Sequence, residues 1–444
     1  MLDDINPENA LNGNLAKIIE EKIEAHQANI PKYLEGAKYY NHDSDITRKS
    51  PKLDASGNTN TRKPDWKIPV NFHQCAVDQK VSYLVGNPIT IKHENDKVKE
   101  ALHQLFNVKF DDKLVDILTD ASNKGVSWVQ VYVNENSELQ VYHIPAEQAI
   151  PIWKNNEQEE LSAFIRVYKL GDETKVEYWT EKHVYYFVKS DSGLKPDYYH
   201  GNFIQTHYDN GSWGKVPFVA FKNNTQQLSD LTMYKSLIDA MDKRISDMQN
   251  TFDESADMIM LLRGYPEEDI GKFNETLKYY RVIALDTDGD VDTLKIDIPV
   301  EETKEWIKQL REMAIESGQA IEFKQDKFGN APSGVALKFM YSSLDLKANK
   351  LARKTYVALQ KLIWFVFEFN NIKGDVSEVE ITFNFKRMVN ELEQAQIASM
   401  STYLSKETLV GKHPWVEDAT GELERLDNEE QGFNNNYPLG LENE

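Results

Sequence analysis

Hydrophobic and polar positions change their period repeatedly along this chain, and each change marks a new element. Leu15, Ile18, Ile19, Ile23 and Ile30 recur near helical spacing over residues 12–40, where Pro31 breaks the run. Residues 49–65, rich in Lys, Ser, Asn, Thr, Gly and Pro, have turn composition and predict a mobile segment. Asn71 can cap a helix running to Leu84 before the Gly86-Asn-Pro turn, and a helix pair follows around 95–123. Between 126 and 207 the period falls to two. The runs 126–133, 139–144, 162–170, 175–180 and 183–189 are rich in β-branched and aromatic residues and separated by polar turns, which predicts an antiparallel meander with helices on one face.

From Leu228 the helical period returns. Leu231, Tyr234, Ile238, Met241, Ile245, Met248 and Phe252 alternate three and four residues apart, a narrow seam suited to a helix lying beside similar helices. Spacing alone leaves an intrachain hairpin and an oligomeric bundle equally open. Residues 259–300 read as a small α/β insert, with 267–279 helical and a hairpin of 281–285 with 291–296. A second long helix, 301–321, carries Trp306, Leu310, Met313 and Ile321 inward. Ser333 then caps a helix reaching Asn370, about 50 Å long, with a kink expected near Ser342 to Leu344. Residues 379–385 form one more strand, 389–428 a small helical region, and 429–444 a disordered tail.

Composition narrows the function classes. The 444 residues carry 51 Lys plus Arg against 72 Asp plus Glu, a net charge of −21, which argues against ordinary grip on phosphates. Cys75 is the single cysteine, so no intrachain disulfide and no cysteine-rich zinc site can form, and a reducing compartment fits. The N-terminus carries acid where an export signal carries base, and the densest apolar stretch, Leu362 to Phe367, is far short of a bilayer span of about 20 residues. A soluble protein with no membrane association is expected.

Chemistry is sparse. None of Gly214-Lys215, Gly271-Lys272 or Gly411-Lys412 meets the P-loop pattern, and there is no GxSxG, HExxH or GxGxxG. No cofactor is implied. The sharpest metal candidate is Asp286, Asp288, Asp290 and Asp292, but Gly289 falls too early for a calcium loop and suits a tight turn better. A carboxylate-based hydrolase remains open, because acids are abundant and spacing cannot place two across a cleft.

Several segments resemble the portal proteins of tailed double-stranded DNA bacteriophages, particularly long-tailed phages of Gram-positive hosts. They are Tyr39 to Ile46, Ile68 to Phe72, Val77 to Pro88, Gly125 to Tyr132, Pro145, Ile150 to Trp153, Gly214 to Pro217, Phe221 to Asn224, Leu237 to Ala240, Ser246 to Asn250, Pro332 to Lys338, Asn390-Glu391, Ser405 to Leu409 and Glu422 to Glu424. The likeness covers most of the chain, and its conjunction is specific although no single block is.

The resemblance implies an α+β portal fold. Its parts would be a wing of residues 1–227 completed by 345–388, stem helices at 228–258 and 301–322, a clip at 259–300 and a tunnel loop at 323–332. Residues 333–344 would begin the channel helix, and 389–428 a short crown. It also implies a homo-oligomeric ring, usually of twelve subunits, at one capsid vertex, with no enzymatic activity of its own. The implied partners are the terminase large subunit, a head–tail adaptor, major capsid and scaffold proteins, and passing double-stranded DNA; assembly would take place in the host cytoplasm. Under this reading the seam 231–252 becomes contact between neighbouring stems. Glu267, Glu268 and Asp269 would dock partners, while Lys324, Lys327, Phe328 and Asn330 would touch DNA lightly. Lys347, Lys350, Arg353 and Lys354 read as the wet face of a helix. A scaffold or adaptor ring without a DNA conduit is a further alternative.

Overall fold

Pro31 starts a helix as well as ending one. In the computed structural model, helix α1 spans Asn14–Gln27 and α2 spans Ile30–Tyr40, with Pro31 in the first turn of α2, where its missing N–H is not needed. The structure describes residues 14–386 except 55, 62, 199, 200, 210, 256–258, 264–289, 295–298 and 323–333; beyond 386 it describes 396, 400, 401, 403–412, 416 and 419–436. Helix α3, Phe72–Val85, is buried around much of its circumference, unlike the amphipathic α4, Asp96–Leu105, and α5, Val108–Lys124. The side chains of Asn95 and Asn107 cap α4 and α5 by accepting from the Lys97 and Lys109 N–H groups.

The β-rich region folds into two antiparallel sheets. Strands β2, Val126–Val133, and β3, Leu139–Ile144, form a three-stranded sheet with β10, Phe218–Lys222, and β2 lies in the middle. A larger sheet runs β4 (Ala149–Trp153), β5 (Leu161–Leu170), β6 (Glu173–Trp179), β7 (His183–Ser190) and β8 (Gly193–Pro196), with β9 (Ile204–Thr206) also on β7. The predicted runs are all strands. The short strands β4, β8, β9 and β10 were not separated from their surroundings by pattern alone.

Period two explains how β2 serves two cores. Val126 and Trp128 face one core with Phe164, Trp179 and Phe218, whereas Val129 and Val131 face another with α3, α5 and the long helix Gly334–Phe369. A third core packs Leu15, Ile19 and Ile23 of α1 against the larger sheet.

A short 3-10 turn, Asp230–Met233, leads into α6, Lys235–Ser255. Strands β11, Ile259–Arg263, and β12, Asp290–Leu294, pair antiparallel at the base of the insert. Thus the 291–296 run finds its partner in 259–263; the expected partner, 281–285, and the expected helix 267–279 lie outside the described residues. Helix α7, Val300–Gly318, returns beside α6. Helix α8, Gly334–Phe369, has 36 residues, about 54 Å at 1.5 Å per residue, and stays helical through Ser342 to Leu344. Strand β13, Glu380–Thr382, then pairs with β1, Thr90–Lys92, so the chain closes onto a segment roughly 290 residues earlier.

Two further helices follow, α9 Lys406–Lys412 and α10 Ala419–Asn436. Helix α10 corrects the expected tail at 429–444, because residues 429–436 continue it; the Glu, Gln and Asn side chains there are compatible with a helix, and the first proline comes only at Pro438.

Two glycines set the close packing of this fold. Gly36 brings α2 against α5 so closely that a Cβ would lie 1.9 Å from the Asn123 carbonyl oxygen. Gly125 ends α5 at φ +88°, the left-handed cap that β-carbons disfavour. Gly36→Ala is expected to destabilise the chain by about 1–3 kcal/mol, since backbone must move to admit the methyl group. A urea-unfolding midpoint equal to that of the native sequence would refute this packing.

Candidate functional site

The start of α6 and the long helix α8 are tied to the sheets by one buried charge cluster. Asp230 sits in the 3-10 turn before α6. Its Oδ2 lies 2.7 Å from Lys80 Nζ of α3 and 3.0 Å from Lys347 Nζ of α8. Asn223, just after β10, donates to Asp230 Oδ1 at 2.8 Å and accepts from Lys80 Nζ at 2.8 Å. Lys347 also donates to the Gly318 carbonyl at 2.7 Å, where α7 ends. One carboxylate at the start of α6 therefore gathers α3, the β10 edge and α8, and Lys347 carries the link on to the end of α7.

Burial decides how these groups titrate. Lys80 is 1% exposed, and desolvation pulls its ammonium down to about 8 in spite of Asp230. Burial pushes the Asp230 carboxyl up, but the charges of Lys80 and Lys347 outweigh it and hold the group well below the usual carboxylate range. Nearby, His73 meets the Tyr234 hydroxyl at 2.8 Å, and burial lowers its pKa to about 4.

Helix α3 reaches the same region through other residues. The Gln79 amide makes a two-way clamp on the backbone of Ile321, donating to its carbonyl at 2.9 Å and accepting from its N–H at 3.0 Å. Tyr83 donates to Asp345 of α8 and stacks on Tyr341.

A second polar fitting runs along α6. The N–H groups of Trp66, Ile68 and Val70 donate to Asn250 Oδ1 at 2.7 Å, Ser246 Oγ at 2.9 Å and Asp242 Oδ1 at 2.8 Å. Two residues of extended chain rise about 6.6 Å and four residues of helix about 6.0 Å, so alternate N–H groups match every fourth helical side chain. Ser44 donates to the other Asp242 oxygen at 2.6 Å.

The expected stem seam is divided. Leu231, Tyr234, Ile238 and Met241 are at most 2% exposed and pack on Phe72, Ala76, Leu310 and Ala314 of this same chain. Their contacts are intrachain, because α3 and α7 already fill that side; this corrects their assignment to a neighbouring subunit. Ile245 and Met248 are half-buried and Phe252 is exposed. Lys347 is likewise corrected from a wet helical face to the buried cluster, while Lys350 and Arg353 are exposed. Lys324, Lys327, Phe328 and Asn330 lie outside the described residues, as do Glu267, Glu268, Asp269, Asp286 and Asp288. Asp290 and Asp292 stand on β12, opposite Arg263 and Leu261. Among the described residues no His, Cys, Asp and Glu side chains gather in threes to hold a metal, and no helix is long and apolar enough to cross a membrane.

Pattern alone does not reveal Asp230, since a carboxylate just before a helix looks like an ordinary cap, nor Asp242, which in the middle of α6 looks like one more polar residue of an amphipathic helix. The signal for Asp242, Ser246 and Asn250 was present as a polar stripe at four-residue spacing. Lys80, Asn223, Ser246 and Asn250 all fall inside segments that carried the family likeness.

Comparison with known proteins accounts for that likeness. Residues 19–435 match the family described as phage portal protein, SPP1 Gp6-like. The chain belongs to this portal family. It is 34% identical over 433 residues to the portal protein of Bacillus phage SPP1, covering 93% of this chain and 86% of that one. It is 30% identical to the portal protein of Clostridium phage phiCD119, covering 92% and 94%. Among solved structures, a chain from "Virion of native gene transfer agent (GTA) particle" is 12% identical with a TM-score of 0.46, covering 77% of this chain and 88% of that one. A chain from "Neck of native GTA particle computed with C12 symmetry" is 10% identical with a TM-score of 0.42, covering 75% and 87%. Membership of this family supports a structural, channel-forming role, and the hydrolase and the non-conduit ring are not favoured.

Two outcomes follow from the buried cluster of this portal. Asp230→Asn is expected to cost about 3–5 kcal/mol, because it leaves the Lys80 charge buried without its counter-ion. Lys80→Met in the same chain should restore part of that loss; urea unfolding of the single and double variants checks both. Stability should also fall as pH drops from about 6.5 towards 4, since the unfolded chain binds a proton in that window that buried His73 refuses. His73→Gln should remove part of that slope in pH-dependent melting, a further part coming from His207, whose pKa burial also lowers to about 4; an unchanged slope would remove His73 as a source.

Proposed function

We propose that this portal chain assembles as a closed ring of about twelve copies, around a central conduit for double-stranded DNA. The observation that carries this reading is an apolar stripe on α8 that is exposed among the described residues. Phe339, Leu346 and Val357 are 76%, 61% and 51% exposed, and their spacings of seven and eleven residues put them on one face of the helix. The other side of α8 is buried through Leu351, Leu359, Leu362 and Val366. On α7, the exposed Trp306 and Met313 flank the buried Leu310 and Ala314 in the same way. Large apolar side chains aligned on long helices call for a cover, and a second copy of the chain supplies it in a heterologous, ring-closing contact.

In this reading residues 1–227 with 345–388 form the wing, 228–258 and 301–322 the stem, 259–300 the clip, and 389–428 with the continuing helix to Asn436 the crown. The half-buried Ile245 and Met248 and the exposed Phe252 extend the subunit contact beyond the intrachain core. The loop 323–332 narrows the conduit, where Lys324, Lys327, Phe328 and Asn330 meet passing DNA. Glu267, Glu268 and Asp269 of the clip dock the terminase large subunit during filling and a head–tail adaptor afterwards. Major capsid and scaffold proteins surround the ring at one vertex of the virion, after assembly in the host cytoplasm. The ring itself catalyses nothing, and ATP hydrolysis belongs to the terminase. The net charge of −21 suits a conduit that must not hold DNA tightly.

Negative-stain microscopy with mass measurement tests the ring. Particles with a central hole and a mass of about 0.6 MDa are expected from the 51.2 kDa chain. Trp306→Asp with Leu346→Asp should leave folded monomers, whereas intact rings would show that these stripes face elsewhere. Lys324→Ala with Lys327→Ala should keep the ring and change retention of packaged DNA; unchanged retention would remove the loop from the conduit.

A further inference from the structure

A cleft of about 400 Å³ lies between α8 and the sheets, and its chemistry differs from the rest of this acidic chain. Trp128, Trp153 and Trp364 contribute to its wall, together with Lys215, Lys222, Lys354 and Lys361. None of these four lysines makes an ion pair among the described residues. Lys222 donates to the Gln158 carbonyl at 3.2 Å and Lys361 to the Glu159 carbonyl at 2.6 Å. Lys215 Nζ lies 4.0 Å from the centre of the Trp364 ring. These hydrogen-bond and ring partners are neutral, and the acids that reach Lys222 and Lys361, Glu159 and Glu160, act without forming an ion pair with them.

The acids that line the cleft offset that charge only in part. Lys154 takes Glu181 at 2.6 Å and Glu160 at 3.6 Å, so those two carboxylates are already engaged. Glu157 and Glu159 are exposed and paired with none of the four lysines. Backbone shape turns the loop carbonyls inward, with Gln158 held at φ +57° and its side chain fixed by Gln227 at 2.6 Å. Burial lowers the Lys222 ammonium first, then the charges of Lys361 and Lys354, with Glu159 opposing them; burial also lowers Lys361, which Glu159 and Glu160 oppose and Lys215 reinforces.

Position indicates the occupant. Val357, the last member of the exposed α8 stripe, is itself part of the cleft wall, so whatever covers Phe339 and Leu346 is led towards these lysines. We infer that the cleft receives an acidic segment of the neighbouring copy of this chain, whose carboxylates pair with Lys354, Lys361 and Lys222 while an apolar side chain meets the tryptophans. This inference rests on the ring reading above. It answers a physical difficulty of that reading, because chains of net charge −21 repel one another and a ring must gather opposite charge where they touch.

The test uses the purified full-length chain and follows ring formation by mass photometry. Lys354→Glu with Lys361→Glu should raise the concentration needed for half-assembly by at least about tenfold near 0.1 M salt, and Lys354→Gln with Lys361→Gln by less. Lys169→Glu with Lys195→Glu makes the same change in net charge elsewhere and should leave assembly unchanged. Carbodiimide coupling of rings mixed from isotope-labelled and unlabelled chains should join Lys354 or Lys361 to an Asp or Glu of another chain. Assembly of the folded glutamate variant at the native concentration would overturn the inference, as would an equal shift in the control or couplings confined within one chain. A native chain that stays monomeric at every concentration would overturn the ring reading first, and the cleft's occupant with it.

Discussion

The fold of this portal depends on keeping one carboxylate, Asp230, in contact with two ammonium groups inside the protein. Lys80, Lys347 and Asn223 come from three separate elements, and none can leave without stranding a charge or a polar group away from water. A purely apolar packing at this junction would tolerate a slide of α8 by part of a turn. Two ion pairs and an amide hydrogen bond converging on a single carboxylate do not. The specificity of the arrangement, more than its net energy, is what the cluster contributes.

Around that point the molecule divides into a fixed part and a presented part. Helix α3 is buried on most sides and holds α8 through Tyr83, the end of α7 through Gln79, and the stem entry through Lys80. The extended segment 66–70 is fastened along α6 by Asp242, Ser246 and Asn250. These fittings leave one face of α8 and one flank of α7 uncovered, with aromatic and aliphatic side chains aligned along them.

The expected hydrophobic seam shows how far periodicity reaches. Leu231 to Phe252 do form one helical face, and the alternation of three and four residues detected it. The same alternation cannot distinguish a neighbour in the chain from a neighbour in a ring, because both bury apolar area in the same way. The structure assigns Leu231, Tyr234, Ile238 and Met241 to the chain itself. It leaves the larger exposed apolar surface on Phe339, Leu346, Val357, Trp306 and Met313, positions that look like ordinary members of amphipathic helices when read singly.

What the sequence determined alone was local: the two long stem helices, the α8 helix with its start near Ser333, the antiparallel strands, and a family likeness spread over most of the chain. Those properties follow from side-chain period, caps and turn residues, which act over a few positions. What only the tertiary structure decided was which distant groups share a site. Lys80 and Lys347 are 267 positions apart and meet one carboxylate, Thr90 pairs with Thr382, and four lysines from β10, its preceding loop and α8 crowd one cleft. Charges in a sequence look alike whether solvated or buried. Their consequences appear only when packing removes the water and fixes which opposite charge, if any, stands within reach.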